Sequence, residues 1–166
     1  MEENKILVSA YTSAEHSAVL NLLLELHSTY FIQSTTLSIQ QIHQEHNLKK
    51  SYEEYLDSVT NNKDGNWLTL IAKSEFNNVV GFIIGSIETD DALLLNKIGK
   101  FEDWFVSKSH RGQGIGMKLY QELEKWFVEK GCKQVRSETW QGNELSIKAH
   151  QQLGFFISGI SFSKKL

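Results

Sequence analysis

The chain has 166 residues, of which 40% are hydrophobic and 22% are charged, and its net charge is −3. This length and hydrophobicity predict one domain with a substantial core. The acidic balance argues against a nucleic-acid binder that relies on bulk positive charge. No apolar run approaches the roughly 20 residues of a membrane span. The N-terminus is too short and acidic for a signal peptide, and Cys132 has no partner for an internal disulfide, so we expect a cytoplasmic protein.

The N-terminal part of the chain predicts one strand and two helices. Residues 5–11 (KILVSAY) are apolar and β-prone, which indicates a first strand. A capping box at residues 12–15 (TSAE) predicts a helix that reaches about residue 30. A second capping box at residues 51–54 (SYEE) predicts a helix through residue 59.

The middle of the chain predicts strands. A polar segment, residues 33–50, lies between the two helices. Residues 67–73 and 79–88 flank the turn-like sequence EFNN and predict an antiparallel hairpin. Residues 89–96 read as a loop, and residues 98–106 as the next strand.

The sequence VSKSHRGQGIG at residues 106–116 carries the strongest functional signal. Alternating glycines at a strand-to-helix junction leave backbone N–H groups uncovered at the positive end of the helix. Together with a cationic arginine, they predict a polyphosphate site. The alternative is a glycine-rich turn that binds no ligand. The candidate ligand-binding residues are Arg111, Gly112, Gln113, Gly114, Ile115 and Gly116.

Two other phosphate-binding loops do not fit. A dinucleotide fingerprint, G-x-G-x-x-G, would need its last glycine at Met117 or Leu119. A nucleotide-binding G-x-x-x-x-G-K-[ST] run is absent from the sequence.

The remainder of the chain predicts a helix, a strand, a second helix and a final strand. The first helix stops at Gly131, a favoured C-terminal cap, and residues 133–139 form a strand. A helix follows over residues 143–152, and a last β segment begins after residues 154–156 (GFF) and ends near Lys165. The resulting order, β-α-α-β-β-β-α-β-α-β, indicates a mixed α/β sheet in one layered domain. The core-facing side chains of the first of these helices are Ile115, Leu119, Leu123, Trp126 and Phe127.

The spacing R-x-x-G-x-G resembles the pyrophosphate loop of the GNAT N-acetyltransferase superfamily, most strongly over residues 101–155. The resemblance implies a single GNAT domain over residues 1–166, with a mostly antiparallel sheet flanked by helices. It also implies acetyl-coenzyme A as cosubstrate, in a cleft between two splayed strands. The pantetheine arm would then bind to the main chain of Trp104, Phe105 and Val106. A metal is not expected, because His43 and His46 have no further ligands nearby in the sequence.

In the same family the following helix often begins N-x-x-A-x-x-x-Y and ends in G-F. This chain has Asn143, Ser146 and His150 at those positions, followed by the sequence GF. The resemblance gives Asn143 a contact to the coenzyme arm, although asparagine also serves as a helix N-cap without a ligand. His150 departs from the pattern. It is a proton donor, a hydrogen-bonding placeholder or a packed core histidine.

Two neighbouring acids precede the glycine loop. A primary amine is mostly protonated at pH 7 and must lose a proton before it attacks a thioester, so a nearby carboxylate is a candidate base. The run FEDWFV resembles the LEDFFV-type run of spermidine/spermine acetyltransferases. That resemblance implies Glu102 as the base and Asp103 as structural support or as the holder of a cationic substrate. Strand alternation predicts that the two side chains lie on opposite faces. Simple solvation at a strand edge is the alternative.

The expected function is acetyl transfer from acetyl-coenzyme A to a primary amine. Glu102 and Asp103, with Asp90 and Asp91 in the preceding loop, favour a small cationic acceptor of the polyamine or aminosugar type. The C-terminal run KAHQQLGFFISGISFSKKL is also similar to one subgroup of aminoglycoside 6′-N-acetyltransferases. The alternatives are a protein N-terminal or lysine acetyltransferase, and a non-catalytic acetyl-coenzyme A sensor. We expect no nucleic-acid or membrane partner, and a homodimer.

Overall fold

A computed structural model of the chain describes residues 6–31, 48–139 and 142–160. Those residues contain five strands and four α-helices. The strands are β1 (Leu7–Ala10), β2 (Trp67–Lys73), β3 (Val79–Thr89), β4 (Lys97–Val106) and β5 (Gln134–Ser137). The helices are α1 (His16–Phe31), α2 (Leu48–Thr60), α3 (Ile115–Glu129) and α4 (Glu144–Gln152).

The five strands form one sheet in the order β1-β2-β3-β4-β5. Strands β1 to β4 pair antiparallel, and the pair β4–β5 is parallel because α3 crosses over between them. The mixed, mostly antiparallel sheet predicted from the sequence is thus confirmed. The hairpin β2–β3 is also confirmed, and Asn77 in its turn has a φ of 63°, a left-handed conformation that asparagine tolerates.

Apolar side chains alternate along the strands, so each face of the sheet has its own core. Helices α1 and α2 cover one face, where Leu23, Leu56 and Phe82 are fully buried. Helix α3 covers the other face, where Leu119, Leu123 and Phe127 are nearly inaccessible to solvent. We call these the α1/α2 face and the α3 face.

The parallel pair β4–β5 is short, and we call the gap beside the unpaired part of β4 the cleft. Strand β5 pairs with β4 only from Ile98 to Phe101, whose partner is Ser137, the last residue of β5. Beyond Phe101, strand β4 continues to Val106 and pairs with β3 on one side. Among the described residues, the edge of β4 beyond Phe101 therefore has no strand beside it.

The termini of three helices agree with the sequence. The capping box at Thr12 and Glu15 is present, although it opens a short 3-10 turn, Ser13–Glu15, that leads into α1. Asn143 accepts a hydrogen bond from the Ser146 N–H and caps α4. Gly131 follows the end of α3 with a φ of +80°. No helix in the described ranges is long and apolar enough to span a membrane.

Three sequence predictions were wrong in detail. Helix α2 begins at Leu48, so Ser51 lies inside the helix rather than at its cap; ion pairs of the i, i+4 type from Lys49 and Lys50 support the extra turn. Strand β5 ends at Ser137, two residues early. Residues 155–160 form no strand, and the end of the predicted last β segment lies outside the described residues.

Candidate active site

The glycine loop joins β4 to α3 through a 3-10 turn, Lys108–His110. Gly112 and Gly114 have φ values of +76° and +74°, and a Cβ at either position would project into open space. Gly114 is the N-cap of α3 and has no side chain to satisfy the first N–H groups of the helix. These two glycines thus leave a bare, electropositive concavity that an anion could fill.

The third glycine has a packing role, and its predicted contact with a ligand stays a prediction. Gly116 lies within α3, and a Cβ there would come within 2.5 Å of Cζ2 of Trp104. Because Gly116 has no side chain, the Trp104 indole packs directly against the first turn of the helix. The indole Nε1–H is buried, and the described residues supply no hydrogen-bond partner for it.

We therefore expect Gly116→Ala to lower the free energy of unfolding by about 1–3 kcal/mol, the usual cost of overpacking. Thermal melting measures this loss. Gly159→Ala is the matched control, because a Cβ at Gly159 meets nothing within 4 Å. Adding Trp104→Leu to Gly116→Ala should recover part of the stability. An unchanged melting temperature in Gly116→Ala would contradict the packing role.

Arg111 is fixed at the mouth of the loop. Its Nε donates to the main-chain oxygen of Val106 at 2.9 Å, and its guanidinium lies 5.1 Å from the centre of the Phe105 ring. These two contacts hold the side chain against the end of β4. Its terminal nitrogens carry the positive charge beside the bare N-terminus of α3, where charge-assisted bonds to phosphate would form.

The register of β4 decides which main-chain groups face the cleft. The Ser107 N–H donates to the Val80 oxygen at 2.9 Å. Because hydrogen-bonded and non-bonded pairs alternate in an antiparallel ladder, the main chain of Phe105 also faces β3. The N–H and C=O groups of Trp104 and Val106 face the opposite way, toward the cleft. The main chain of Phe105 thus faces β3 and its side chain is buried in the core, while the predicted coenzyme contacts of Trp104, Phe105 and Val106 stay predictions.

A β-bulge brings the two candidate carboxylates to one face. Ile84 pairs with Asp103 and Gly85 with Phe101, so Glu102 is the extra residue of β4. The prediction of opposite faces was wrong, because the bulge resets the alternation. Both Glu102 and Asp103 lie on the α1/α2 face.

Each carboxylate is held by a hydroxyl. Ser86 Oγ donates to Glu102 Oε1 at 2.6 Å, and Tyr55 of α2 donates to Asp103 Oδ2 at 2.6 Å. Burial raises the pKa of Asp103, the Tyr55 hydrogen bond opposes this, and the charge of Glu102 raises it further. Lys100 Nζ lies 3.1 Å from Glu88 and 3.8 Å from Glu102. Sequence reasoning missed Tyr55, which no local motif connects to β4.

His150 lies on the opposite, α3 face, packed against three aromatic rings. Its ring centre is 5.2 Å from that of Phe101, 5.3 Å from that of Phe155 and 6.3 Å from that of Trp104. The structure thus places the carboxylates and the histidine on the two sides of the point where β4 and β5 part. Asn143 is half-buried at the start of the same helix, where it caps α4.

Two other candidate acids do not lie near the point where β4 and β5 part. Asp90 and Asp91 lie in the β3–β4 loop, and Asp90 accepts from the Ala92 N–H there. Five strand residues, roughly 16 Å, separate the end of that loop from Glu102. Within the described ranges, no group of three or more histidine, cysteine or acidic side chains could hold a metal ion.

Comparison with known proteins gives a consistent family. Residues 22–155 match the model of the Acetyltransferase (GNAT) family. Over 78 residues the chain is 33% identical to the aminoglycoside N(6′)-acetyltransferase type 1 of Salmonella typhimurium, covering 46% of this chain and 54% of that enzyme. Over 53 residues it is 34% identical to the thialysine N-epsilon-acetyltransferase of Bos taurus, covering 32% of this chain and 31% of that enzyme. The chain thus spans about half, or less, of the curated relatives that it matches.

Solved structures share the fold. An aminoglycoside N-acetyltransferase in complex with coenzyme A has a TM-score of 0.74 at 20% identity, covering 98% of this chain and 95% of that chain. The ribosomal-protein-alanine N-acetyltransferase of Brucella melitensis biovar Abortus 2308 has a TM-score of 0.67 at 17% identity, covering 98% and 99%. At such identities the likeness concerns the fold.

Proposed function

This chain belongs to the acetyltransferase (GNAT) family, and on that premise we propose that it is an N-acetyltransferase. It transfers the acetyl group of acetyl-coenzyme A to a primary amine of a small cationic molecule, by direct attack in a ternary complex. One observation carries the proposal: β4 leaves β5 at Phe101 and leads to a bare, electropositive helix N-terminus.

The coenzyme supplies the acetyl thioester. Its pyrophosphate fits the concavity at Gly112 and Gly114, where open space and positive φ coincide. Gln113 and Ile115 contribute backbone N–H groups of the same loop, and Arg111 adds charge. The arm would bind as an added strand to the cleft-facing main chain of Trp104 and to the N–H of Val106, whose oxygen already accepts from Arg111. The amide of Asn143 is a further candidate contact.

The amine approaches from the α1/α2 face, where the carboxylates lie. Glu102, held by Ser86, accepts the ammonium proton directly or through one water. Asp103, fixed by Tyr55, balances the positive charge of the acceptor. Two acids side by side, with a lysine already drawn to one of them, favour a cationic acceptor over a neutral one.

The acceptor we propose is an aminosugar or a polyamine. Two matched relatives are named for acceptors with primary amines, an aminoglycoside and thialysine, and both compounds are cationic at neutral pH. We propose the same chemical class for this chain.

The predicted cytoplasmic location and homodimer stay predictions, and light scattering on the purified protein would test the dimer.

An acceptor screen tests the proposal. Purified protein and acetyl-coenzyme A are incubated with aminoglycosides, polyamines, lysine analogues and peptides, and free thiol is measured with product mass. We expect turnover of small polycationic amines. Turnover of peptides alone would favour a protein acetyltransferase. Tight coenzyme binding by calorimetry without turnover of any amine would favour a sensor.

A further inference from the structure

A hydrogen-bonded pair closes the end of the cleft where β4 and β5 part. His150 Nε2 lies 2.9 Å from the Ser137 Oγ, and Ser137 Oγ lies 3.1 Å from the main-chain oxygen of Phe101. The other ring nitrogen, Nδ1, lies 2.7 Å from the main-chain oxygen of Ser146. Ser137 thus joins β5, β4 and α4 at one point.

These partners determine which hydrogens the imidazole carries. The Ser146 carbonyl can only accept, so Nδ1 bears a hydrogen in either charge state. In the neutral ring Nε2 accepts from the Ser137 hydroxyl. In the protonated ring Nε2 donates to Ser137, whose own hydrogen then bonds to the main-chain oxygen of Phe101. Both ring nitrogens are engaged by the protein, one through Ser146 and the other through Ser137.

The length of the cleft places the reacting end of the coenzyme near that hydroxyl. From Val106, beside the glycine loop, back to Phe101 is five residues, roughly 16 Å of strand. This is comparable to an extended pantetheine arm. An arm that begins at the glycine loop and follows Trp104 therefore ends between the Glu102 bulge and Ser137.

On the basis of the proposed function, we propose that Ser137 is the proton donor to the departing coenzyme sulfur and that His150 positions it. When the tetrahedral intermediate collapses, the carbon–sulfur bond breaks and its electron pair goes to sulfur. The sulfur takes the hydroxyl proton of Ser137, and the Ser137 oxygen takes the Nε2 proton of the His150 imidazolium. Water then reprotonates His150. Ser137 is the catalytic residue of the pair, and His150 acts through it.

Ser137→Ala and Ser137→Thr form the first test, with the best acceptor at saturating acetyl-coenzyme A. Removing the hydroxyl should lower kcat at least about tenfold, below the usual range for a general acid because water can substitute. Threonine keeps the hydroxyl and should retain most of the activity. Coenzyme affinity by calorimetry should stay near wild type in both, and the melting temperature reports separately the stability lost with the Ser137 hydrogen bonds. A kcat within twofold of wild type in Ser137→Ala would overturn the proposal, as would a loss confined to coenzyme binding.

A double-mutant cycle with His150→Phe tests whether the two residues act as one unit. We expect the double variant to be no slower than either single variant, because each alone already breaks the donor. In the Ser137→Ala background, His150→Tyr should restore activity, since the phenol oxygen reaches toward the vacated hydroxyl position. Losses that multiply, or no rescue by tyrosine, would contradict the pairing. Inactivity of the wild-type protein on every amine would instead contradict the proposed function.

Discussion

Replacing Glu102 by glutamine is expected to lower turnover by about 10²- to 10⁴-fold, the usual contribution of a general base. Glutamine keeps the size of the side chain and an oxygen that can accept from Ser86, which now bonds to the carboxylate at 2.6 Å. Binding of acetyl-coenzyme A should therefore remain unchanged. Steady-state rates on the best acceptor, with calorimetry of the coenzyme, measure the two effects separately.

Asp103→Asn is the matched control, since it neutralises the neighbouring carboxylate on the same face. If Asp103 only holds the ammonium group, its loss should raise KM more than it lowers kcat. Burial raises the pKa of Asp103, which is the direction that makes a carboxylate a stronger base. Unchanged turnover in Glu102→Gln at pH 7 would remove Glu102 from the mechanism, and a large fall in kcat for Asp103→Asn would then assign the base to Asp103.

The sequence predicted best where structure depends on local chemistry. The capping box at Thr12, the cap at Asn143 and the C-terminal Gly131 follow from side-chain and backbone preferences within a few residues. Positive φ at Gly112 and Gly114 is equally local. The GNAT-like fold itself was predicted from the resemblance of the glycine loop and its flanking motifs to that family, and that prediction is confirmed.

What the sequence could not predict depends on contacts between distant segments. The bulge at Glu102 arises from how β4 registers against β3, and simple alternation put the two acids on opposite faces. The partner of Asp103 comes from α2, 48 residues earlier. Ser137, which no sequence motif singled out, contacts His150 only because β5 ends there and α4 folds back against it. Glu102, Asp103 and His150 had been given roles before these neighbours were known.

Gly116 shows the same limit of sequence-based prediction within a single motif. Spacing alone groups it with Gly112 and Gly114 as part of an anion site. The structure separates them, because a Cβ at Gly116 would meet the Trp104 ring, whereas Cβ atoms at the other two would meet nothing within 4 Å. We therefore expect substitutions at Gly116 to report on packing and substitutions at Gly114 to report on the proposed ligand binding.

The second prediction with a large expected effect concerns the proposed anion site at Gly112 and Gly114. Gly114→Asp should weaken acetyl-coenzyme A binding by well over tenfold, or more than about 1.4 kcal/mol. Its carboxylate would project into the open space beside the uncapped N-terminus of α3, where we propose that the pyrophosphate binds. Isothermal titration calorimetry measures the change, and coenzyme should also stop raising the melting temperature by mass action.

Gly114→Asn separates charge from backbone strain in this prediction. Asparagine and aspartate have the same shape, and both tolerate the left-handed conformation better than other side chains do, so the strain at a φ of +74° is common to the two variants. We expect the asparagine variant to bind the coenzyme more weakly than wild type but clearly more tightly than the aspartate variant. The difference should shrink at high salt, because it is electrostatic. Wild-type affinity in Gly114→Asp would show that the pyrophosphate binds elsewhere. Equal losses in both variants would mean that shape rather than charge decides binding at this helix N-terminus.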